Sequence, residues 1–378
     1  MGWFPTTLDP GESGWHFDII ILLAVLGSSA VEKHIRAIAA SPLSFLPRLI
    51  PAPESLLDTD RPTRLPSVQD VTIIGVKSGV QINELNYFAN LIHQVESLEE
   101  YEFQVWKIDF RGPEITKREI QIKDWSWVTA ITLASVLITI GLFIAAGVIH
   151  DGVALVGLGS MSAATTMASC CAKWTPKLSQ RNANSKVPEG DIVIRTRGGA
   201  FVVVRAEEEV IRELYGGVDG CHYAYEGTVY HALLASSMVL LMTSVILFSN
   251  CDWKMQIAVG AAYIVLNIGY WLFALLVEPS DIWDLGRRYK YDRPGPSLTQ
   301  PEEKKDDREN IPSYTRTLSL AIKETGSVNW VMQYGMIPAT NVWKEWLNEA
   351  EQNLTNPEWK PVTRKDELLQ AAAKKADS

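Results

Sequence analysis

Four blocks of this chain, near 126–149, 153–172, 230–249 and 255–277, contain no Asp, Glu, Lys or Arg. A bilayer core ~30 Å thick is crossed by ~20 consecutive apolar residues in a helix. Within hydrocarbon, only a helix or a closed barrel satisfies every backbone N–H and C=O. The blocks therefore predict about four transmembrane helices. The joints within each pair are short: His150, Asp151 and Gly152 in the first, and Asn250 to Lys254 in the second. Turns of this length make the joined helices antiparallel neighbours, so the spans form two hairpins, 125–172 and 230–277. Bulk composition hides this, because 47% apolar and 21% charged residues would suit a soluble chain.

Outside the blocks the pattern changes several times. An apolar run from Ile19 to Val31 ends at Glu32, Lys33, His34 and Arg36. It is short for a span, and two readings of the 1–40 element stay open. One is a fifth, N-terminal span; the other is a helix lying on the membrane or packed on the protein. Asp9, Glu12 and Asp18 precede the run, where a cleavable signal peptide carries basic residues, so none is expected. Pro42, Pro47, Pro51, Pro53, Pro62 and Pro66 make 41–67 an irregular connector, since proline removes a backbone donor.

Two short α+β pieces follow, 68–124 and 173–229. In the first, DVTIIGV at 70–76 and YEFQVWKIDF at 101–110 read as strands, and 115–122 offers a further one. Leu85, Phe88, Leu91, Ile92 and Val95 form a helical stripe between them. In the second, DIVIRT at 191–196 and AFVVVRA at 200–206 flank Arg197, Gly198 and Gly199, a hairpin turn. EEEVIRELY at 207–215 has helical spacing with acids in its first turn. A piece of ~40 residues buries little surface alone, so the two are expected to share one core. After the last span, prolines and the mixed run EEKKDDRE at 302–309 read as a linker over 278–313. A helical tail, 314–378, completes the chain. The fold class is thus an α-helical integral membrane protein with a small cytosolic α+β domain and a helical C-terminal tail.

Charge sets the orientation. Lys117, Arg118, Lys123, Lys173, Lys177, Arg181, Arg287, Arg288, Lys290 and Arg293 all fall on one side if four spans exist. The opposite side has Lys254 against Asp151 and Asp252. Cytosolic loops carry the excess of Lys and Arg, so the loops and C-terminus are expected in the cytosol, in either the plasma membrane or an endomembrane. The net charge of −9 and the lack of a basic run argue against a nucleic-acid partner.

The layout resembles a large, lineage-expanded set of uncharacterised fungal multipass membrane proteins. The resembling residues are GWHFDIIILLAVLGSSAVEKHIRAIAASPLSFLPR, GDIVIRTRGGAFVVV and TRTLSLAIKETGSVNWVMQYGMIPATNVWKEWLNEAE. The similarity follows the order of segments along nearly the whole chain. It implies a multipass membrane protein with a structural tail, and no activity or functional residue comes with it.

No catalytic, cofactor-binding or metal-binding constellation emerges. Gly157, Gly159, Ser160, Ser162, Ala163 and Ala164 lack the strand–helix context of a nucleotide loop and read as close helix packing. His222 beside Cys221 has no second Cys/His pair at ligand spacing. Asn267 is the one carboxamide inside a span and reads as a partner for a neighbouring helix. Cys170 and Cys171, next to Lys173 at a membrane edge, are candidates for S-acylation. Trp343, Trp346 and Leu347 share a helix face and are candidates for docking the tail, on protein rather than lipid, because the polar face is acidic. The leading function is a non-enzymatic scaffold, sensor or interaction protein, with the bilayer, a protein bound through the cytosolic domain or tail, and a second copy as partners. The alternatives are an oligomeric channel or carrier, and an enzyme with a dispersed site.

Overall fold

The computed structural model describes residues 29–57, 61–111, 120–179, 190–293 and 308–376. Residues 19–28 of the N-terminal apolar run, most of the 115–122 segment and residues 302–307 lie outside that set. The helices used below are α1 (Ser29–Ala40), α2 (Tyr87–His93), α3 (Trp127–Ile149), α4 (Gly152–Ala172), α5 (Gly227–Ser249), α6 (Trp253–Leu276), α7 (Tyr314–Thr325), α8 (Asn341–Gln352) and α9 (Pro361–Ala376). The strands are β1 (Val71–Gly75), β2 (Gln81–Ile82), β3 (Phe103–Phe110), β4 (Trp174–Lys177), β5 (Ile192–Thr196), β6 (Phe201–Ala206), β7 (Gly220–Tyr223) and β8 (Tyr289–Asp292). The chain divides into two compact units, each assembled from three separate stretches.

The first unit is helical. α3, α4, α5 and α6 are long and apolar enough to cross a membrane. At 1.5 Å per residue their 21 to 24 residues extend roughly 31–36 Å. Each start has a local cause. Ser126 caps α3 by accepting from Thr129 N, and Asp151 caps α4 by accepting from Ala154 N at 2.9 Å. The second oxygen of Asp151 accepts from Asp252 N at 2.7 Å, and Asp252 caps α6. One carboxylate thus joins the turns of both hairpins. α4 and α5 pack most intimately, with Ser237 donating to Ala164 O and Gly157 facing the Phe248 ring. A Cβ at Gly157 would stand 3.0 Å from that ring. Small residues permit this approach, and van der Waals packing holds it. Leu137, Ile144, Val148, Val239, Met242, Val265 and Leu275 remain exposed on the outer faces, as do Trp127, Trp253 and Trp271 near the helix ends.

The connector 41–57 is folded into this unit. Leu49 sits among Leu142, Ala146, Leu158, Phe248 and Met255, while Ile50, Leu56 and Leu57 pack on Ala168, Cys171, Tyr230 and Leu234. Its backbone is irregular, and span hydroxyls satisfy it. Leu49 N donates to Thr139 Oγ1 at 2.9 Å, Ser135 donates to Leu49 O, and Thr165 donates to Arg48 O at 2.6 Å. Thr139 lies ~18 Å along α3 from Trp127, near the middle of the helix. Non-helical backbone at such depth persists only when buried in protein and hydrogen-bonded. α1 packs on α6 through His34 against Phe273, ring centroids 4.3 Å apart.

The second unit is α/β. Its sheet has the order β2-β1-β5-β6-β3-β8, with β6 and β3 parallel and every other pair antiparallel. β5 and β6 form the hairpin, turned at Gly199 (φ +78°), where a Cβ would strike the Tyr101 ring. Both faces of the central strands are buried. Val193, Phe201 and Val203 join α7, α8 and Trp330 in one core. The alternate residues Ile192, Ile194, Val202 and Val204 are buried on the other face.

One boundary differs from the sequence reading. The linker assigned to 278–313 holds a helical turn at Pro279–Ile282 and an edge strand, β8, paired with β3. Tyr289 alone of β8 is buried, so YKYD reads as solvated while its backbone completes the ladder. The tail assigned to 314–378 is packed on the sheet, and its residues, from α7 through Leu368, supply most of the core on one sheet face.

Candidate functional site

Among the described residues of the helical unit, Arg48 is the one Lys or Arg wholly withdrawn from solvent, at 0% exposure. The apolar neighbours Leu43, Leu46, Leu49 and Ile50 carry it inward with the connector. Its Nη1 donates to three carbonyls of the preceding turn, Leu43 at 3.1 Å, Ser44 at 3.0 Å and Leu46 at 3.3 Å. The other edge of the guanidinium, Nε and Nη2, is buried without a hydrogen-bond partner. The Tyr270 hydroxyl stands beside the group and interacts with it, short of full hydrogen-bond geometry. Ser44 Oγ, in the turn that wraps the cation, is also buried and unpartnered. Among the described residues no carboxylate pairs with Arg48. A buried cation without a counter-ion is costly, and such residues in membrane regions face functional cavities or partners.

Arg48 lies in the Pro-rich connector before the four blocks, too far from any of them to count among their flanking charges. The sequence does carry a signal: SPLSFLPRLIP is uncharged except for this one arginine, and a surface connector would hold more charge. A second arginine from the same region has a plainly structural place. Arg61 lies 3.4 Å over the Tyr230 ring and donates to Tyr225 O at 2.6 Å and to Cys171 O. It fastens the connector to the ends of α4 and α5.

The candidates taken from the sequence fall as follows. Cys171 is buried, its Sγ 3.8 Å from Tyr230 O, while Cys170 is half-buried at the last turn of α4. Of the two, only Cys170 offers a thiol to an acylating group. Trp346 and Leu347 are buried at 0% and 3% exposure, in the core shared with the sheet. Trp346 Nε1 donates to Pro361 O at 2.9 Å, and Trp343 and Trp359 pack against its ring. Trp343 is half-buried on the rim of that core. Asn267 is half-buried on α6.

The α/β unit holds its own polar cluster. A π-helical turn, Arg212–Gly216, carries Glu213, which accepts from both Arg288 and the Tyr289 hydroxyl in a buried triad. His93 bonds the Tyr215 hydroxyl, and burial pushes its imidazole down to about 3. Asp219 accepts from Phe88 N, and burial raises its carboxyl to about 7 despite that bond and nearby Arg64. Its Oδ1 has no partner. These groups bond one another or the backbone, so the cluster reads as a lock on the loops.

Together these features define a class: a chain with four helices long and apolar enough to span a membrane and a separate α/β unit. No family model, curated protein or solved structure matches the chain, and no relative lends its function.

Proposed function

We propose that this chain is a multipass integral membrane protein that acts as a scaffold, sensor or interaction module, with its loops, α/β unit and C-terminus in the cytosol. The observation that supports this best is the threading of the sheet. β1 to β3 precede the first helical hairpin, β5 and β6 lie between the hairpins, and β8 follows the second. Two crossings per hairpin bring all three stretches out on one side; a single missed crossing would leave part of the sheet across the membrane. The exposed apolar faces of α3, α5 and α6 need lipid, and tryptophans at helix ends suit the interface. The ten Lys and Arg near the spans favour the cytosol for the α/β unit. Because both faces of its sheet are filled with apolar side chains, this unit has its outer surface to offer a partner.

Protease applied to sealed vesicles tests the arrangement. From the cytosolic face it should leave both hairpins, 125–172 and 230–277, protected and digest the cytosolic stretches between and after them. The sequon Asn353-Leu354-Thr355 should stay unglycosylated in a eukaryotic host. Cleavage inside a hairpin, or a glycan on Asn353, would overturn the topology. Ion or solute flux through reconstituted protein would replace the scaffold reading with a channel or carrier.

A further inference from the structure

We propose that Arg48 is the anchor of an oxyanion-binding site in the helical unit, one that takes a phosphate group. The reasoning rests on the membrane reading above and on geometry. A guanidinium has two useful edges. One end, Nη1, is spent on the Leu43, Ser44 and Leu46 carbonyls, which hold the cation in place. The other edge, Nε with Nη2, is the side-on fork whose two parallel N–H bonds match a carboxylate or phosphate. That fork has no protein partner. Beside it stands the buried Tyr270 hydroxyl, which interacts with the guanidinium short of full hydrogen-bond geometry, and Ser44 Oγ, in the same wrapping turn, is buried and unpartnered. A cation and two hydroxyls can each donate to an anion, and a neutral ligand would leave the charge uncompensated.

The chemistry selects the class. A phosphate group has enough acceptor oxygens for the fork and both hydroxyls at once. Depth is compatible with either a lipid headgroup or a soluble phosphate. Thr165, which holds the Arg48 carbonyl, is ~10 Å from the end of α4, and Tyr270 is ~9 Å from the end of α6, so the fork lies within a headgroup's reach of that surface. The turn over the cation presents Pro42, Phe45 and Pro47 outward.

The test uses full-length protein. Resistance to alkaline carbonate is established first, because extraction would defeat the membrane reading by itself. Thermal midpoints are then measured in detergent with inorganic phosphate, against sodium chloride at equal ionic strength, and in nanodiscs of phosphatidylcholine with and without phosphatidic acid. The parent should be stabilised by phosphate or by phosphatidic acid, and not by chloride. Response to phosphate in delipidated protein identifies a soluble ligand; response to phosphatidic acid alone identifies a lipid. Arg48→Lys keeps the charge without the fork and should weaken binding about ten-fold. Tyr270→Phe should weaken it about three- to ten-fold, the range for one hydrogen bond. Arg48→Met should abolish the response; if it does not fold, the lysine and phenylalanine variants decide. Absence of any specific stabilisation of the parent, or an undiminished response in both Arg48→Lys and Tyr270→Phe, would overturn the site.

Discussion

At the residue scale, two buried titratable groups of the α/β unit oppose each other. Asp219 has its folded value raised to about 7, so acidification adds stability as the folded state takes up a proton. His93 has its folded value lowered to about 3, so acidification below about 6.5 removes stability as the unfolded state takes one up. Between pH 8 and 5 the first gains ~2–3 kcal/mol and the second costs ~2 kcal/mol. The two nearly cancel, and the parent should show a flat profile across this range. Asp219→Asn keeps the acceptor for Phe88 N and removes the gain. Its stability should fall by ~2 kcal/mol from pH 8 to 5, measured by denaturant unfolding followed through Trp fluorescence. A variant as flat as the parent would show that the two groups do not titrate as their burial demands. Trp346 gives a second test. Its replacement by alanine should cost ~3–5 kcal/mol, because a fully buried indole leaves a cavity in the core shared with the sheet. Trp343→Ala, on the rim, should cost clearly less. Both should raise proteolysis of the tail and leave membrane insertion unchanged.

At the element scale, the helices were easy to read and the connector was not. The four spans announce themselves by uncharged length, and the β5–β6 hairpin by VVV and IVI runs around a glycine turn. The connector 41–57 has seven buried apolar residues or prolines, yet its prolines point equally to a surface loop. What decides is whether span hydroxyls are available, and Ser135, Thr139 and Thr165 are scattered on helices ~90–120 residues away. Their spacing fits self-capping just as well. β8 was hidden for a related reason, since edge strands carry charge to discourage further pairing. Replacing Ser135 and Thr139 together with alanine should strand the Leu49 N–H and C=O without partners. About 1–3 kcal/mol per orphaned group follows, seen as a lower thermal midpoint in detergent. Gly157→Leu should overpack the α4–α5 contact at Phe248 and cost ~1–3 kcal/mol by the same measure. An unchanged midpoint in either variant would mean that these helices are held by something other than their close contacts.

At the scale of the whole molecule, the order of the sheet fixes the order of manufacture. β3 lies beside β6, its parallel neighbour, and β6 is made only after the first hairpin, about ninety residues beyond the end of β3. α7 and α8, which close one face, come after the second hairpin as well. At ~5–20 residues per second, β3 waits roughly 5–20 s for β6 and about as long again for its cover. During that interval, in the multipass arrangement proposed above, its apolar side chains and unpaired edge are open at the mouth of the insertion machinery. The α/β unit therefore closes as a certificate of completed insertion. A chain truncated before α7, or with one helix failing to insert, should stay protease-sensitive throughout 64–111 and be a substrate for quality control, whereas the full chain becomes resistant within a minute of release.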